Sequence, residues 1–329
     1  MVEKQLYIKF FALTCLLILA AYLSLFYGGS EQINFSAIST DNFIFWQIRF
    51  PKTLTAIIAG STLSAAGLIL QIIFRNPLAG PYVLGISSGA SLMVGISILA
   101  GSQLHLLSNF FSGKIVIVLA AITGSFLITT LILLVSKKIN SNVILLLIGL
   151  MLSQICGAIQ SALEYFSEAT SLKSFVIWGM GTLSNTTNTD LFIYLPIAFM
   201  TLIAILFFIK PLNALLLGEN YSRNLGINFK SSRFYLILIS SVLTGLTTAF
   251  CGPIAFVGIA VPIVSRMLFK SSKQGLHFFS CLLIGSTILL VSDTVANCAL
   301  KNTALPINMI TTIIGAPLVI YLMFKNKSW

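Results

Sequence analysis

The stretch from Phe10 to Tyr27 carries no charged side chain, and nine comparable apolar stretches follow it, at 53–73, 84–101, 115–136, 143–163, 191–209, 234–250, 254–269, 278–300 and 307–324. A hydrocarbon layer of ~30 Å takes ~20 apolar residues per helix, and fewer where a helix is broken or re-entrant. The pattern predicts an all-α integral membrane protein, one domain over 1–329 with about ten transmembrane helices, some of them short or broken. Only 8% of the residues are charged, against roughly 25% in an ordinary soluble domain, so a water-soluble globule is excluded. Lys4 and Lys9 ahead of the first stretch also fit a signal peptide. That stretch is long for one and runs into Tyr27-Gly28-Gly29 without a small-x-small cleavage site, which favours a retained span.

An even number of spans puts both ends of the chain on one side of the membrane. Sorting the charges by the resulting loops tests the count. One side collects 14 basic residues: Lys4, Lys9, Arg75, Lys137, Lys138, Lys210, Arg223, Lys230, Arg233, Arg266, Lys270, Lys273, Lys325 and Lys327. The other side collects five, Arg49, Lys52, Lys114, Lys173 and Lys301. Cytoplasmic loops carry the excess of Lys and Arg, so both termini are predicted to be cytoplasmic and the net charge of +11 is mainly topological. No basic run exceeds Lys137-Lys138 and no basic stripe alternates with aromatics, which argues against a nucleic-acid partner.

Cys15, Cys156, Cys251, Cys281 and Cys298 lack metal-ligand spacing and are expected to be small buried hydrophobes. His105 and His277 complete no metal or nucleophile-base constellation, so neither an enzyme nor a bound cofactor is expected. No phosphate-binding G-x-x-x-x-G-K-[ST] loop occurs: Ser112-Gly113-Lys114 is followed by Ile115, so any ATP is bound by a partner. Ion-coupled carriers place ionisable residues inside their spans. Here the ninth span holds Asp293, and Glu164 stands at the outer end of the fifth. An ion-coupled secondary transporter working through Asp293 is the alternative reading, although a single Asp near a helix end is a thin relay and suits bonding to a neighbouring group.

Two places interrupt the helical pattern. Asn76-Pro77-Leu78-Ala79-Gly80-Pro81 and Gly85-Ile86-Ser87-Ser88-Gly89 follow the second span, and Gly252-Pro253-Ile254-Ala255-Phe256-Val257-Gly258 follows the seventh. Glycine and proline at this density fit broken helices lining a cavity, as in transporters, and equally fit kinked helices packed closely through small residues. The cytoplasmic connection at about 211–233 offers one or two helical turns, with Tyr221 and Leu225 on one face and Glu219 and Arg223 paired on another. Such an element suits either the membrane interface or a cleft on a cytoplasmic protein.

Leu217-Gly-Glu-Asn-Tyr-Ser-Arg-Asn-Leu-Gly226 resembles the coupling segment of the FecCD permease family, the membrane subunits of ATP-binding-cassette importers for iron-siderophores, haem and cobalamin. Further matches run along most of the chain: Arg49-Phe-Pro-Lys-Thr53, Gln71-x-x-x-Arg-Asn-Pro-Leu-Ala79, Leu84-Gly-Ile-Ser-Ser-Gly-Ala90, Trp178-x-x-Gly181, Gly252-Pro-Ile-x-Phe-Val-Gly258, Val261-Pro262 with Arg266, and Leu305-Pro306 with Gly315-Ala-Pro317. Each is weak alone, and in this order over ten spans they are specific.

The resemblance implies a type II importer permease in the bacterial inner membrane, a homodimer with its pathway at the centre. It implies two cytoplasmic ATP-binding subunits as partners, a periplasmic or lipid-anchored substrate-binding protein, and an iron chelate as cargo, iron-siderophore being the commonest. It assigns Arg49 and Lys52 to an external basic pair that docks the binding protein. Gly218, Glu219, Tyr221, Arg223, Leu225 and Gly226 would contact the ATPase, and Ser141 and Asn142 would fall at the cytoplasmic gate. Read without the resemblance, Arg49 and Lys52 are exposed snorkelling cations and Ser141 and Asn142 an ordinary helix cap. Ser153, Gln154 and Gly157 on the fifth span suit a low-affinity translocation path, or simply helix packing. The sequence departs from the family pattern at Asn297, where a docking Arg is usual and Lys301 stands one turn later. It departs also at Ile263 for His, Ala255 for Gly and Ala304 for an acid.

Overall fold

The computed structural model describes residues 2–27, 42–100, 114–136, 139, 141–217, 228–299 and 304–325. Among them the chain is helical throughout, without strands: α1 (Val2–Tyr27), α2 (Phe50–Ile73, entered through a π-helical turn at Ile44–Arg49), α3 (Ile86–Gly95, prolonged by a π-helical turn at Ile96–Ala100), α4 (Lys114–Ser136), α5 (Asn142–Tyr165), α6 (Ala169–Gly179), α7 (Asn188–Phe207), α8 (Ile209–Leu217), α9 (Phe229–Cys251), α10 (Val257–Phe269), α11 (Gln274–Cys298) and α12 (Ile307–Lys325). Each of the ten apolar stretches contains a helix. Among the described residues seven helices are long and apolar enough to cross a membrane, and Ile86–Leu99, Val257–Phe269 and Ile307–Tyr321 are shorter. At 1.5 Å per residue, the 13 residues of α10 reach only ~20 Å. The helices α6 and α8 lie in segments that the apolar pattern assigned to loops.

Helix α2 stands at the centre, against α9, α10 and α11; α4 packs on α3 and α9, and α1 lies along α11. Lipid tails are as apolar as leucine, so helices in a bilayer associate by close packing and interhelical hydrogen bonds rather than by hydrophobicity. The sequence of α2 supplies both. Gly60 meets Gly285 of α11 and Gly67 meets Gly258 of α10, so closely that a Cβ on either α2 glycine would run into backbone. Between them, the Thr62 hydroxyl pairs with Thr247 of α9 at 2.7 Å and Ser64 donates to the Cys281 carbonyl at 2.8 Å. From α11, Ser286 donates back to the Ile57 carbonyl at 2.8 Å.

Both interrupted segments are closely packed. In the first, Gly80 and Pro81 lie against Ile259 and Gly258 at the start of α10, so the two breaks touch each other. Gly85 (φ 75°) lets the chain turn into α3 against Gly149 and Ser153 of α5. In the second, Gly252 (φ 72°) passes the Trp178 carbonyl, and Thr182 N–H donates to the Cys251 carbonyl at 2.9 Å. The motif pieces around Trp178, Gly181, Gly252 and Ile307 thus converge at one end of the bundle. The cysteine expectation holds for Cys156, Cys251 and Cys281, which are buried, and fails for Cys15 and Cys298, which sit on exposed helix faces.

Candidate transport and docking sites

Arg49 and Lys52 were expected as exposed cations, and in the folded chain both are buried. The last turn of α1 leaves carbonyls without intrahelical partners, and Arg49 Nη1 donates to those of Leu25 at 3.0 Å and Phe26 at 2.8 Å. A cation at a helix C-terminus also meets the negative end of its dipole. One turn on, Lys52 Nζ lies 3.1 Å from Asp293 Oδ2 of α11, with both side chains over nine-tenths buried. Asp293 is therefore bonded to a basic group, as a lone Asp near a helix end favours, and is not a free carboxylate inside a span. Two buried charges are tolerated at such depth only as a pair. Asn297 amide donates to the Asp293 backbone carbonyl, one turn along α11. Lys301 lies outside the described residues.

Helix α5 is, with α1, the most open of the long spans among the described residues. Leu145, Gly149 and Cys156 face inward, while Val143, Leu147, Leu150, Met151, Gln154, Ile155, Ala158, Ile159 and Ser161 are exposed. Ser153 points to the packed side, its hydroxyl bonded to the Gly149 carbonyl at 3.1 Å and close to Gly85. Gln154 is exposed, and nothing lies within 4 Å of where a Gly157 Cβ would be. The Gln154 amide and the Ser161 hydroxyl on this largely aliphatic face are costly against lipid, so this side of α5 fits contact with water or with protein. Of the three residues assigned to the path, Gln154 and Gly157 face open space and Ser153 serves packing.

At its N-terminal end α5 is capped by Ser141, whose hydroxyl accepts from Ile144 N–H at 3.5 Å. Asn142 is the first helical residue after it. Gly218, Glu219, Tyr221, Arg223, Leu225 and Gly226 lie outside the described residues. The helix that leads into them, α8, buries Leu212, Ala214 and Leu215. It is anchored by polar contacts that the sequence did not disclose: Arg75 Nη2 donates to the Leu215 carbonyl at 3.1 Å, and Asn213 Oδ1 accepts from Gln274 N–H at 2.9 Å. Nearby, Gln71 Oε1 accepts from Arg266 Nη1 at 2.7 Å, and its amide donates to the Pro77 and Ile259 carbonyls. Gln71, Arg75 and Arg266 all stand in quoted motif fragments, yet a fragment shows only that a residue type is present, not which carbonyl it reaches.

Residues 14–325 match the FecCD transport family. The chain belongs to that family. The vitamin B12 import system permease protein BtuC of Pectobacterium atrosepticum is 35% identical over 86% of this chain and 82% of its own length. The hemin transport system permease protein HmuU of Yersinia pestis is 33% identical over 86% of this chain and 84% of its own length. A solved structure described as an inward-facing conformation of a metal-chelate type ABC transporter superposes with a TM-score of 0.81 at 32% identity, covering 96% of this chain and 98% of that one. The FecCD chain is thus a multi-pass permease subunit of an ABC importer, with the type II permease fold.

Proposed function

We propose that this FecCD permease works as a homodimer in the bacterial inner membrane, both termini cytoplasmic, moving an iron chelate inward with energy from two ATP-hydrolysing partner subunits. The observation that carries the reading is the open face of α5, where Gln154 and the vacant surroundings of Gly157 fit a water-lined path between two copies. The 14-to-5 distribution of basic residues supports the orientation. Iron-siderophore is the first cargo to test; the relatives named for vitamin B12 and hemin make cobalamin and haem the next two. The segment 218–226 is assigned to the ATPase, Ser141 and Asn142 to the cytoplasmic gate, and Gln154 and Gly157, with Ser153 behind them, to the path.

Docking of a periplasmic or lipid-anchored binding protein is assigned to the external end of α2 and the segment that follows α11, with Arg49, Lys52 and Lys301 as its cations. Because Lys52 is held by Asp293 and Arg49 by carbonyls of α1, an acidic residue of the binding protein must compete with contacts already made. Charge reversal at Lys301, which leaves those contacts alone, is expected to slow association about ten-fold at low salt and less at high salt. An unchanged rate removes Lys301 from the docking set.

The deciding experiment is uptake into vesicles holding permease, ATPase and binding protein, supplied in turn with ferric siderophore, haem and cobalamin. ATP-dependent accumulation of one cargo is expected. Uptake that ignores ATP and follows an ion gradient, lost in Asp293→Asn, would instead favour ion coupling.

A further inference from the structure

The contacts of α8 single out residues that the transport reading leaves without a role. Helix α2 ends in a Schellman turn: Asn76 N–H reaches back to the Gln71 carbonyl at 3.1 Å and Arg75 N–H to the Ile72 carbonyl at 3.2 Å. The left-handed position of this turn is ordinarily glycine, because a Cβ is strained there. This chain places Arg75 in it, at φ 46°. From that strained position the guanidinium donates to the carbonyl of Leu215, in the last turn of α8. An arginine tolerated where glycine is preferred, with its head group on a neighbouring helix end, marks a contact in use rather than a convenient turn.

Across α8, Asn213 reaches the start of α11. Lys273, the residue before that helix, provides no side-chain cap. Asn213 Oδ1 fills the role from outside, accepting from Gln274 N–H at 2.9 Å, while its amide is braced on the Ile209 carbonyl at 3.0 Å. Gly275 lies against the side chain of Ile209, so the two helices also touch through apolar atoms. The short helix is therefore bonded to the cytoplasmic ends of both α2 and α11. These two are in turn locked to each other along the bilayer, by Gly60 on Gly285, Ser64 on the Cys281 carbonyl, Ser286 on the Ile57 carbonyl, and Lys52 on Asp293 at the far end.

We propose that Arg75 and Asn213 form a joint fixing α8 to α2 and α11, so that displacement of the segment 218–226 reaches these two helices as one body. Both are positioning residues. The inference rests on the assignment of 218–226 to the ATPase and specifies where its motion enters the membrane. The ion pair of Lys52 and Asp293 then marks the opposite end of the same strut, where that motion emerges.

Substitutions at the two positions separate this role from folding. Arg75→Gly relieves the strained turn while removing the guanidinium, so the permease is expected to be as heat-stable as the parent or more so. Asn213→Ala removes the external cap, and Asn213→Asp keeps its acceptor. In vesicles with ATPase and binding protein, Arg75→Gly/Asn213→Ala is expected to hydrolyse ATP within about two-fold of the parent while cargo moved per ATP falls about ten-fold. Asn213→Asp is expected to stay within about two-fold on both measures. Cargo per ATP unchanged in the double variant overturns the proposal. Hydrolysis and uptake falling in parallel overturn it, as does loss of the ATPase from the purified double variant, because the residues would then serve docking rather than transmission. The underlying assignment is checked separately: charge reversal at Glu219 and Arg223 that leaves ATPase co-purification intact sinks that assignment, whatever the joint does.

Discussion

The helices α2 and α5 are both long apolar spans, with mean hydropathies of 1.9 and 2.2 over their most apolar windows, yet 83% of that window is buried in α2 and 17% in α5. Hydropathy therefore does not decide which helix occupies the centre of a membrane bundle. Side-chain size does. Around Gly60-Ser61-Thr62-Leu63-Ser64-Ala65-Ala66-Gly67 the surface of α2 is almost flat and studded with hydroxyls, so neighbours approach to backbone contact and bond across. Helix α5 carries Val143, Leu147, Leu150, Met151, Ile155 and Ile159 on its open side, residues that keep a neighbouring backbone at a distance.

One substitution made on both helices breaks this contrast most directly. Gly67→Leu drives a side chain into the backbone of α10, beyond the ~1–3 kcal/mol of ordinary overpacking, and no monodisperse permease is expected after detergent extraction. At Gly157 an added Cβ meets nothing within 4 Å, so Gly157→Leu should leave the melting temperature of the isolated chain within a few degrees, while blocking uptake if that face lines the path. Equal damage from the two would mean that α5 is as enclosed as α2.

Next in size is the ion pair. Lys52→Ala leaves Asp293 buried and uncompensated, at a cost of about 3–5 kcal/mol, whereas Lys52→Met with Asp293→Leu removes both charges and should recover most of it. A thermal-shift series in one detergent checks this, and a double variant no more stable than the single would remove the pair from the account of how α2 and α11 hold together.

Smaller still, Tyr194→Phe deletes a hydroxyl donating to Thr247 at 3.1 Å, beside the Thr62–Thr247 contact, and should cost about 1 kcal/mol. The smallest effect on stability belongs to Gln154→Leu on the open face of α5: no loss in the isolated chain, with a several-fold fall in uptake rate. Unchanged uptake there removes Gln154 from the path.

Much of the architecture was legible in the string because lipid imposes a coarse code. Uncharged runs mark the spans, and Gly-Pro clusters such as Gly80-Pro81 and Gly252-Pro253 mark the breaks. The helices α6 and α8 escaped that code because, at 11 and 9 residues, they are too short to form an apolar run of spanning length. The need of Asp293 for a partner was readable, but Lys52 as that partner was not, since pairing across the bundle depends on how α2 and α11 are registered. The opposite error occurred at Arg49: beside an external loop it reads as exposed, and the carbonyl end of α1 folds over it.

Composition and spacing were sufficient for the all-helical membrane class and the family motifs, because each is a property of one segment against water or lipid. Which helix lies at the centre, which cations are buried and what holds α8 in place are properties of pairs of segments. Those followed only from the packed chain, where a few ångströms of glycine-to-glycine approach determine whether a hydroxyl, an amide or a charge finds its partner.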